Sequence, residues 1–219
     1  MRVRDAIDTW NVYVITDETL AEGRSHVDIA RDALAGGSEV IQLRDKTASS
    51  RRLHEAALEI RQLTWKAGAC FIVNDRLDIA LAVNADGVHL GQNDIPAAAI
   101  RRFLGQERIL GVSVRTVEQA LTAEKDGADY LGVGPVFEAR GTKCDAGDPA
   151  GLELLRKVHQ GSSRRIIAIG GINHSNAAQV IEAGAHAVAV ISAVVTSDDI
   201  AEATRELRKC VMAQKCCTR

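Results

Sequence analysis

Short runs of apolar, β-branched residues alternate along the whole chain with segments of helical periodicity. Eight such runs predict buried strands, at residues 12–15, 40–43, 70–73, 87–90, 109–112, 130–133, 166–169 and 187–191. Four segments between them have the apolar spacing of helices that bury one face, at residues 51–67, 96–104, 117–126 and 176–183. The pattern predicts alternating strands and helices.

Strands that are apolar on both faces and separated by helices are typical of a parallel sheet covered by helices. Eight such units in 219 residues predict an α/β protein, a single (β/α)8 TIM barrel of small size. An open doubly wound sheet is the alternative, but the first strand is not followed by a Gly-x-Gly-x-x-Gly fingerprint. We expect one domain over residues 1–219, with 210–219 forming a loose C-terminal tail.

Composition excludes several classes of protein. Hydrophobic residues make up 46%, charged residues 26% and mean hydropathy is −0.05, as in ordinary globular chains. No stretch approaches the ~20 apolar residues of a membrane span, and the N-terminus lacks a secretory signal, so we expect a cytoplasmic protein without a membrane partner. A net charge of −2 and 3% aromatic residues argue against nucleic acid. Five cysteines without metal spacing indicate reduced thiols.

The residues that follow each strand are the candidates for chemistry, because (β/α)8 barrels carry their sites at the carboxyl ends of the strands. Around strand 2, Gln42, Arg44 and Lys46 alternate with Ile41 and Leu43. The three polar residues therefore share one face and point into the barrel mouth. A charged surface edge is the alternative. Since unpaired buried cations are costly, a polyanionic ligand is their expected counterpart.

Acidic residues follow strands 3 and 4. Asn74 and Asp75 end strand 3, and Asp94 follows strand 4. Neighbouring strands lie ~4.8 Å apart, so Asp75 and Asp94 can share one cation, and oxygen ligands of this kind suit Mg²⁺. A helix cap is the alternative for Asn74 or Asp75. His89 is expected to be a packed barrel residue, because no other histidine lies at metal-ligand spacing.

Strand 5 leads to Ser113, which either donates to a phosphate or serves as a turn or cap residue; the sequence leaves both open.

After strand 6, residues 134–149 form the longest interruption and indicate a substrate-covering loop, with Arg140, Thr142 and Lys143 able to bind anions. A disordered loop with solvated charges is the alternative.

Glycine and serine follow the last two strands. Gly170 and Gly171 end strand 7, and Ile191 and Ser192 end strand 8. Barrels often bind phosphate in these loops, where glycine lets a ligand approach the backbone, so we expect a monophosphate here. The cations, acids and serine of strands 2 to 5 suit a pyrophosphate. No activated nucleophile–base pair is evident, which fits metal-assisted departure of pyrophosphate.

These residues resemble the thiamin phosphate synthase (thiamin phosphate pyrophosphorylase) family. The resemblance covers nearly the whole chain, and its motifs occur in the family's order: VYVITD (12–17), IQLRDK (41–46), VNDR (73–76), DGVHLGQND (86–94), GVSV (111–114), GVGPVF (132–137), TK (142–143), AIGGI (168–172) and ISA (191–193). Each motif is weak alone, whereas the ordered set is highly specific.

The resemblance implies a TIM barrel that joins 4-amino-5-hydroxymethyl-2-methylpyrimidine diphosphate to 4-methyl-5-(2-phosphoethyl)thiazole, giving thiamin phosphate and pyrophosphate. It implies a dissociative mechanism in which pyrophosphate leaves first. It assigns Mg²⁺ to Asp75 and Asp94. It implies catalytic roles for Lys143, Ser113 and Arg44. It implies that the pyrimidine diphosphate is bound by Gln42, Arg44, Lys46, Asn74, Ser113 and Lys143. It implies that the thiazole phosphate is bound by Arg140, Gly141, Thr142, Gly170, Gly171, Ile191 and Ser192.

The chain departs from the family in the loop after strand 6. Where the family often has Pro-Thr-x-Thr-Lys-Lys, residues 138–144 read EARGTKC, one residue longer, with Arg140 near the place of a threonine. Two other functions remain alternatives: a thiazole tautomerase, which carries a histidine after strand 6 that residues 132–135 lack, and a ligand-sensing regulator without turnover. The expected partners are two small phosphorylated substrates, and a homo-oligomer is left open.

Overall fold

Eight parallel strands close into a barrel in the computed structural model, which describes residues 3–138 and 148–217. The strands pair in sequence order and β8 pairs with β1. They are β1 (Val12–Ile15), β2 (Val40–Leu43), β3 (Cys70–Asn74), β4 (Gly87–Leu90), β5 (Ile109–Val114), β6 (Tyr130–Val133), β7 (Arg165–Ile169) and β8 (Ala187–Val190). The predicted (β/α)8 barrel is confirmed, and the open sheet is excluded.

Helices follow the strands and cover the outside of the barrel. They are α1 (His26–Ala35), α2 (Ser50–Ala67), α3 (Leu77–Ala82), α4 (Ala97–Leu104), α5 (Val117–Lys125), α6 (Gly151–Gly161), α7 (Ala177–Glu182), α8 (Ser192–Val195) and α9 (Ile200–Cys217). Local sequence sets their ends: Ser25 and Asp28 form a capping box at α1, and Gly68 ends α2 in a left-handed conformation, at φ +67°. In the described ranges, none of these helices combines the length and apolar composition that a bilayer crossing requires.

Aromatic side chains close the amino-terminal end of the barrel interior. A 3-10 helix (Val3–Thr9) leads to Trp10, which is 1% exposed and packs edge-on against the rings of Tyr13 and Tyr130, at centroid distances of 5.7 and 5.4 Å. Gly111 makes room for this cluster, since a side chain there would overlap the Tyr130 ring. These aromatic rings therefore fill the amino-terminal part of the barrel interior.

A bonding pattern repeats four times at the amino-terminal rim. The side chain of the residue before each even-numbered strand accepts a hydrogen bond. The donor is a backbone N–H near the start of the preceding strand. The four acceptors are Glu39, Asp86, Asp129 and His186, which bond the N–H groups of Val12, Phe71, Leu110 and Ile166 at 2.8–3.0 Å. Each of the three carboxylates also pairs with an arginine, Arg208, Arg61 and Arg101 respectively. The pattern ties successive pairs of strands together.

The C-terminal segment differs from its expected form. Residues 210–217, predicted as part of a loose tail, are the last turns of α9. Val211 is fully buried, and Lys215 Nζ donates to the Trp10 carbonyl at 2.6 Å and to Asn11 Oδ1 at 2.9 Å. Residues 210–217 continue the helix because Val211 and Lys215 contact the rest of the barrel. That residues 1–219 form one domain stays a prediction.

Candidate active site

Two adjoining cavities open at the carboxyl ends of the strands. The polar cavity, about 920 Å³ out to its mouth, is lined by Arg44, Lys46, Asn74, Asp75 and Asp94, among others. The glycine-lined cavity, about 620 Å³, is lined by Gly170, Gly171, Ile191 and Ser192, among others. Ser113 and Arg115 line both. The two groups of residues singled out in the sequence therefore lie side by side and share a wall.

The strand 2 residues lie at different depths. Arg44 is mostly buried, with its guanidinium 3.8 Å from Asp17 Oδ2, whereas the half-exposed Lys46 places Nζ 3.6 Å from Asp75 Oδ2. Gln42 lies below them, 2% exposed, and its Nε2 donates to the Tyr13 hydroxyl at 2.6 Å. The two cations reach the polar cavity, while Gln42 belongs to the barrel interior.

Asp75 does not cap the helix that follows it. The cap position of α3 is Arg76, without any side-chain capping bond, so neither Asn74 nor Asp75 has the capping role that the sequence left open. The Asp75 backbone has φ +60°, which a non-glycine residue adopts at some cost. Its N–H donates to the His89 carbonyl at 2.9 Å, which holds it beside strand 4.

Asp75 and Asp94 share a hydrogen bond. Burial, followed by the hydrogen bond and negative charge of Asp94, raises the Asp75 pKa to about 6, and Lys46 and Arg44 only partly offset this. Asp94 Oδ2 also accepts from the Gly91 N–H at 2.6 Å. Two carboxylates this close repel when both are ionised, which is the condition that a bound cation relieves.

Ser113 is neither a turn nor a cap residue. Strand β5 continues through Val114, and Thr116 caps α5 by accepting from Gln119 N–H. The Ser113 hydroxyl lies 2.8 Å from His89 Nε2. His89 is 8% exposed and packed inside the barrel, as expected, and its ring connects the interior to the wall between the cavities.

The glycines after β7 serve packing as well as access. Gly170 and Gly171 have φ +100° and +65°, in the region that favours glycine. A side chain on Gly170 would overlap Pro135, and one on Gly171 would overlap Phe137 and the Glu138 carbonyl. Their presence alone therefore does not indicate a phosphate, and the cavity beside Ser192 is the stronger observation.

Four predicted site residues, Arg140, Gly141, Thr142 and Lys143, lie outside the described residues. The sequence analysis assigns no role to Tyr13, Tyr130 or Arg115. A tyrosine at an inward-facing position of a buried strand is the signal that could have found the first two, since its hydroxyl needs a partner there.

A second polar cluster lies at the ends of β1 and β2. His26 is buried; its Nδ1 lies 2.8 Å from Thr16 Oγ1, and its Nε2 lies 3.4 Å from Asp45 Oδ2 and 3.9 Å from Glu18 Oε1. Asp45 Oδ1 accepts from the Thr47 and Ala48 N–H groups. The cluster joins the two loops, and the Asp45 carboxylate holds the backbone that follows it.

The closed parallel barrel, with two adjoining cavities at the carboxyl ends of its strands, places the protein among the (β/α)8-barrel enzymes. A family model described as thiamine monophosphate synthase matches residues 12–194. The chain belongs to this family, and it is a transferase of thiamine biosynthesis. The resemblance seen in the sequence is confirmed.

Relatives over nearly the whole chain carry the same description. A thiamine-phosphate synthase of Chloroflexus aurantiacus is 53% identical over 96% of each chain. One of Methanospirillum hungatei is 56% identical over 89% of this chain and 94% of its own. A thiamine phosphate pyrophosphorylase structure from Pyrococcus furiosus superposes with a TM-score of 0.88 at 44% identity, covering 95% of this chain and 98% of that one.

Proposed function

We propose that the barrel condenses the pyrimidine diphosphate with the thiazole phosphate by dissociative departure of pyrophosphate, binding the diphosphate in the polar cavity and the monophosphate in the glycine-lined cavity. The observation that carries this division is the shared wall of Ser113 and Arg115. Because the cavities adjoin, the carbon that loses pyrophosphate lies next to the incoming thiazole. Proximity of this kind supplies much of the rate in a two-substrate reaction.

Two cations, Arg44 and Lys46, line the polar cavity. The contacts of Arg44 with Asp17 and of Lys46 with Asp75 are long, 3.8 and 3.6 Å, and a diphosphate that offers several oxygens to a guanidinium forms shorter, charge-assisted bonds. Asn74, at the end of β3, adds an amide to the same wall. These groups stabilise the negative charge that develops on pyrophosphate as it leaves.

The paired aspartates fit Mg²⁺. Two carboxylates on neighbouring strand ends, one with its pKa raised to about 6 by burial and by the other, provide hard oxygen ligands whose repulsion a divalent cation removes. When bound there, Mg²⁺ would neutralise charge on the departing pyrophosphate. Asp75 and Asp94 are the residues that would hold it.

The site offers no thiolate for covalent catalysis among the described cysteines. Burial raises the pKa of the Cys70 thiol to about 12, and Cys210, Cys216 and Cys217 lie on α9. Catalysis by positioning and charge stabilisation fits this chemistry better than an attacking side chain. The role of Lys143 as a cation facing the leaving group stays a prediction from the family resemblance.

The test is thiamin phosphate formation from both substrates over a titration of Mg²⁺. Asp75→Asn and Asp94→Asn keep side-chain size but each remove one anionic ligand, so both should need more Mg²⁺ and turn over more slowly. Asp78→Asn is the matched control, because Asp78 lies close by but is exposed and paired with Arg76. Circular dichroism checks folding.

Metal dependence that is the same in wild type and both variants would contradict the aspartate site. Product formed equally well in excess chelator would contradict the metal-assisted mechanism itself. Cytoplasmic location stays a prediction, and the sequence analysis leaves a homo-oligomer open.

A further inference from the structure

Five polar side chains form a continuous series across the barrel interior, which we call the core hydrogen-bond network. It runs from Gln42 through Tyr13, Tyr130 and His89 to Ser113, and its four contacts measure 2.6, 2.9, 2.9 and 2.8 Å. The two tyrosines and Gln42 are at most 2% exposed, and His89 is 8% exposed. Water competes little with these bonds.

The network has two directions that use every tyrosine hydroxyl proton within it, because each hydroxyl holds one proton and a neutral imidazole donates from one nitrogen. With Gln42 Nε2 donating to Tyr13, Tyr13 donates to Tyr130 and Tyr130 donates to His89 Nδ1. His89 is then protonated on Nε2 and donates to Ser113 Oγ. The Ser113 proton remains available to a ligand.

In the opposite direction of the hydrogen bonds, the Ser113 hydroxyl can no longer donate to a ligand. If the Gln42 amide is reversed, so that its oxygen accepts from Tyr13, every bond turns around and Ser113 donates to His89 Nε2. Ser113 then presents only lone pairs, which repel a diphosphate oxygen. The orientation of a buried amide on β2 thus decides the polarity of a hydroxyl on β5.

We infer that Tyr13, Tyr130 and His89 are positioning residues that hold the Ser113 hydroxyl as a hydrogen-bond donor toward the diphosphate. The inference rests on the proposed function, in which Ser113 faces that group. Gln42 Oε1 supports the same direction: it is buried without a partner among the described residues and lines the small cavity inside the barrel mouth. A ligand donor at this oxygen and an anion at Ser113 favour one and the same direction.

Packing keeps the network in place. The His89 and Tyr130 rings stack at 5.5 Å, and a side chain at Gly132 would press on the His89 ring. Trp10 supports Tyr13 and Tyr130 from below. A ring held in this way can keep one tautomer, since turning it over would break both of its hydrogen bonds.

The test measures binding of inorganic pyrophosphate with Mg²⁺ by calorimetry in a double-mutant cycle. Ser113→Ala should weaken binding about tenfold, as expected for loss of a hydrogen bond to a charged group. Tyr130→Phe should weaken binding severalfold in the wild type and have almost no effect in Ser113→Ala, because its influence passes through Ser113. Thr204→Val, which removes a buried hydroxyl on α9, is the control for general destabilisation.

Nitrogen-15 spectra of the pyrophosphate complex provide a readout that a structural role would not move. We expect His89 to be protonated on Nε2 in the wild type and to show a mixture of tautomers in Tyr130→Phe, with its signals assigned from His89→Gln. If Tyr130→Phe folds poorly, Tyr13→Phe removes the adjacent link, and its smaller effect should likewise vanish in Ser113→Ala.

The outcomes separate the inference from the proposed function. Wild type that binds no pyrophosphate contradicts the proposed function, and the inference with it. Pyrophosphate binding that depends on Ser113 and not on the tyrosines, additive effects in the cycle, or His89 protonated on Nδ1 in the wild type complex would each overturn the inference alone.

Discussion

Single residues at the barrel mouth take their roles from their neighbours in space. Ser113 is adjacent in sequence to a turn, yet it lies in β5 beside His89 and leaves the capping of α5 to Thr116. Asp75 stands where a cap residue would, yet it pairs with Asp94 from the next strand. In both cases strand pairing brings together side chains that are far apart along the chain.

A negative charge at position 192 should affect the ligands of the two cavities differently. Ser192 lines the glycine-lined cavity and not the polar one, so in Ser192→Asp the added carboxylate should weaken thiazole phosphate binding at least ~10-fold by repulsion, and pyrimidine diphosphate binding much less. Calorimetry with each substrate checks this.

Ser192→Asn is the matched control, because it adds similar bulk without charge. Equal loss of both ligands in a folded Ser192→Asp protein would contradict the division of sites. A bulky residue at Gly171 is a poorer test, because it would also displace Phe137.

Among the strands and helices, the hydrogen bond that repeats at the amino-terminal rim links the strands of the barrel in pairs. In three of the four repeats the acceptor is a carboxylate paired with arginine, and in the fourth it is His186, whose Nδ1 accepts from Ile166 N–H at 3.0 Å. An imidazole accepts at this nitrogen only when the nitrogen is unprotonated. The β7–β8 repeat therefore depends on the protonation state of an imidazole.

His186 should make stability fall in mild acid. Burial, followed by the charge of Arg165, lowers its pKa from the usual 6.5 to about 4. Between these values the unfolded chain takes up a proton that the folded chain does not, so the free energy of unfolding decreases as pH falls through this window. Urea denaturation above and below pH 6.5 measures the loss.

The variant His186→Asp should show a smaller decrease over the same interval. Asp86 and Asp129 already reach the equivalent N–H groups at 2.8 Å, so an aspartate has the required length. A decrease that is the same in wild type and His186→Asp would show that other groups cause the pH dependence.

In the whole molecule, α9 connects the C-terminal part of the chain to Trp10 and Asn11, the two residues that precede the first strand. Lys215 donates to the Trp10 carbonyl, and Trp10 supports the aromatic rings that fill the bottom of the barrel. Val211 is buried on the same helix, whereas Cys216 and Cys217 are exposed. The last helix thus supports the aromatic rings at the amino-terminal end of the barrel, whereas its exposed Cys216 and Cys217 do not contribute to this contact.

Two truncations should differ in effect. Removal of residues 211–219 deletes a buried valine and the lysine contacts, so the free energy of unfolding should drop by about 2–4 kcal/mol. Removal of residues 216–219 deletes the exposed Cys216 and Cys217 and should change it by less than ~0.5 kcal/mol. Urea denaturation of the full and shortened chains checks both; equal stability of all three would show that the end of α9 is dispensable.

The strands, the barrel and the family could all be predicted from the amino-acid sequence. Its apolar runs match the strands to within two residues, because buried parallel strands need apolar side chains on both faces. The positions that follow its strands predicted that Arg44, Lys46, Asp75, Asp94 and Ser113 lie together, because strand ends meet at one end of a barrel, and the structure brings all five to the polar cavity.

Tertiary structure alone decided how these residues act on one another. The Asp75–Asp94 pairing, the core hydrogen-bond network and the docking of α9 each join residues from separate strands or helices. Local sequence could not indicate them, because the polarity of a hydroxyl or the pKa of a carboxyl depends on groups brought near only when the barrel closes. The tail looked loose for the same reason: Lys215 has its partners at the opposite end of the chain.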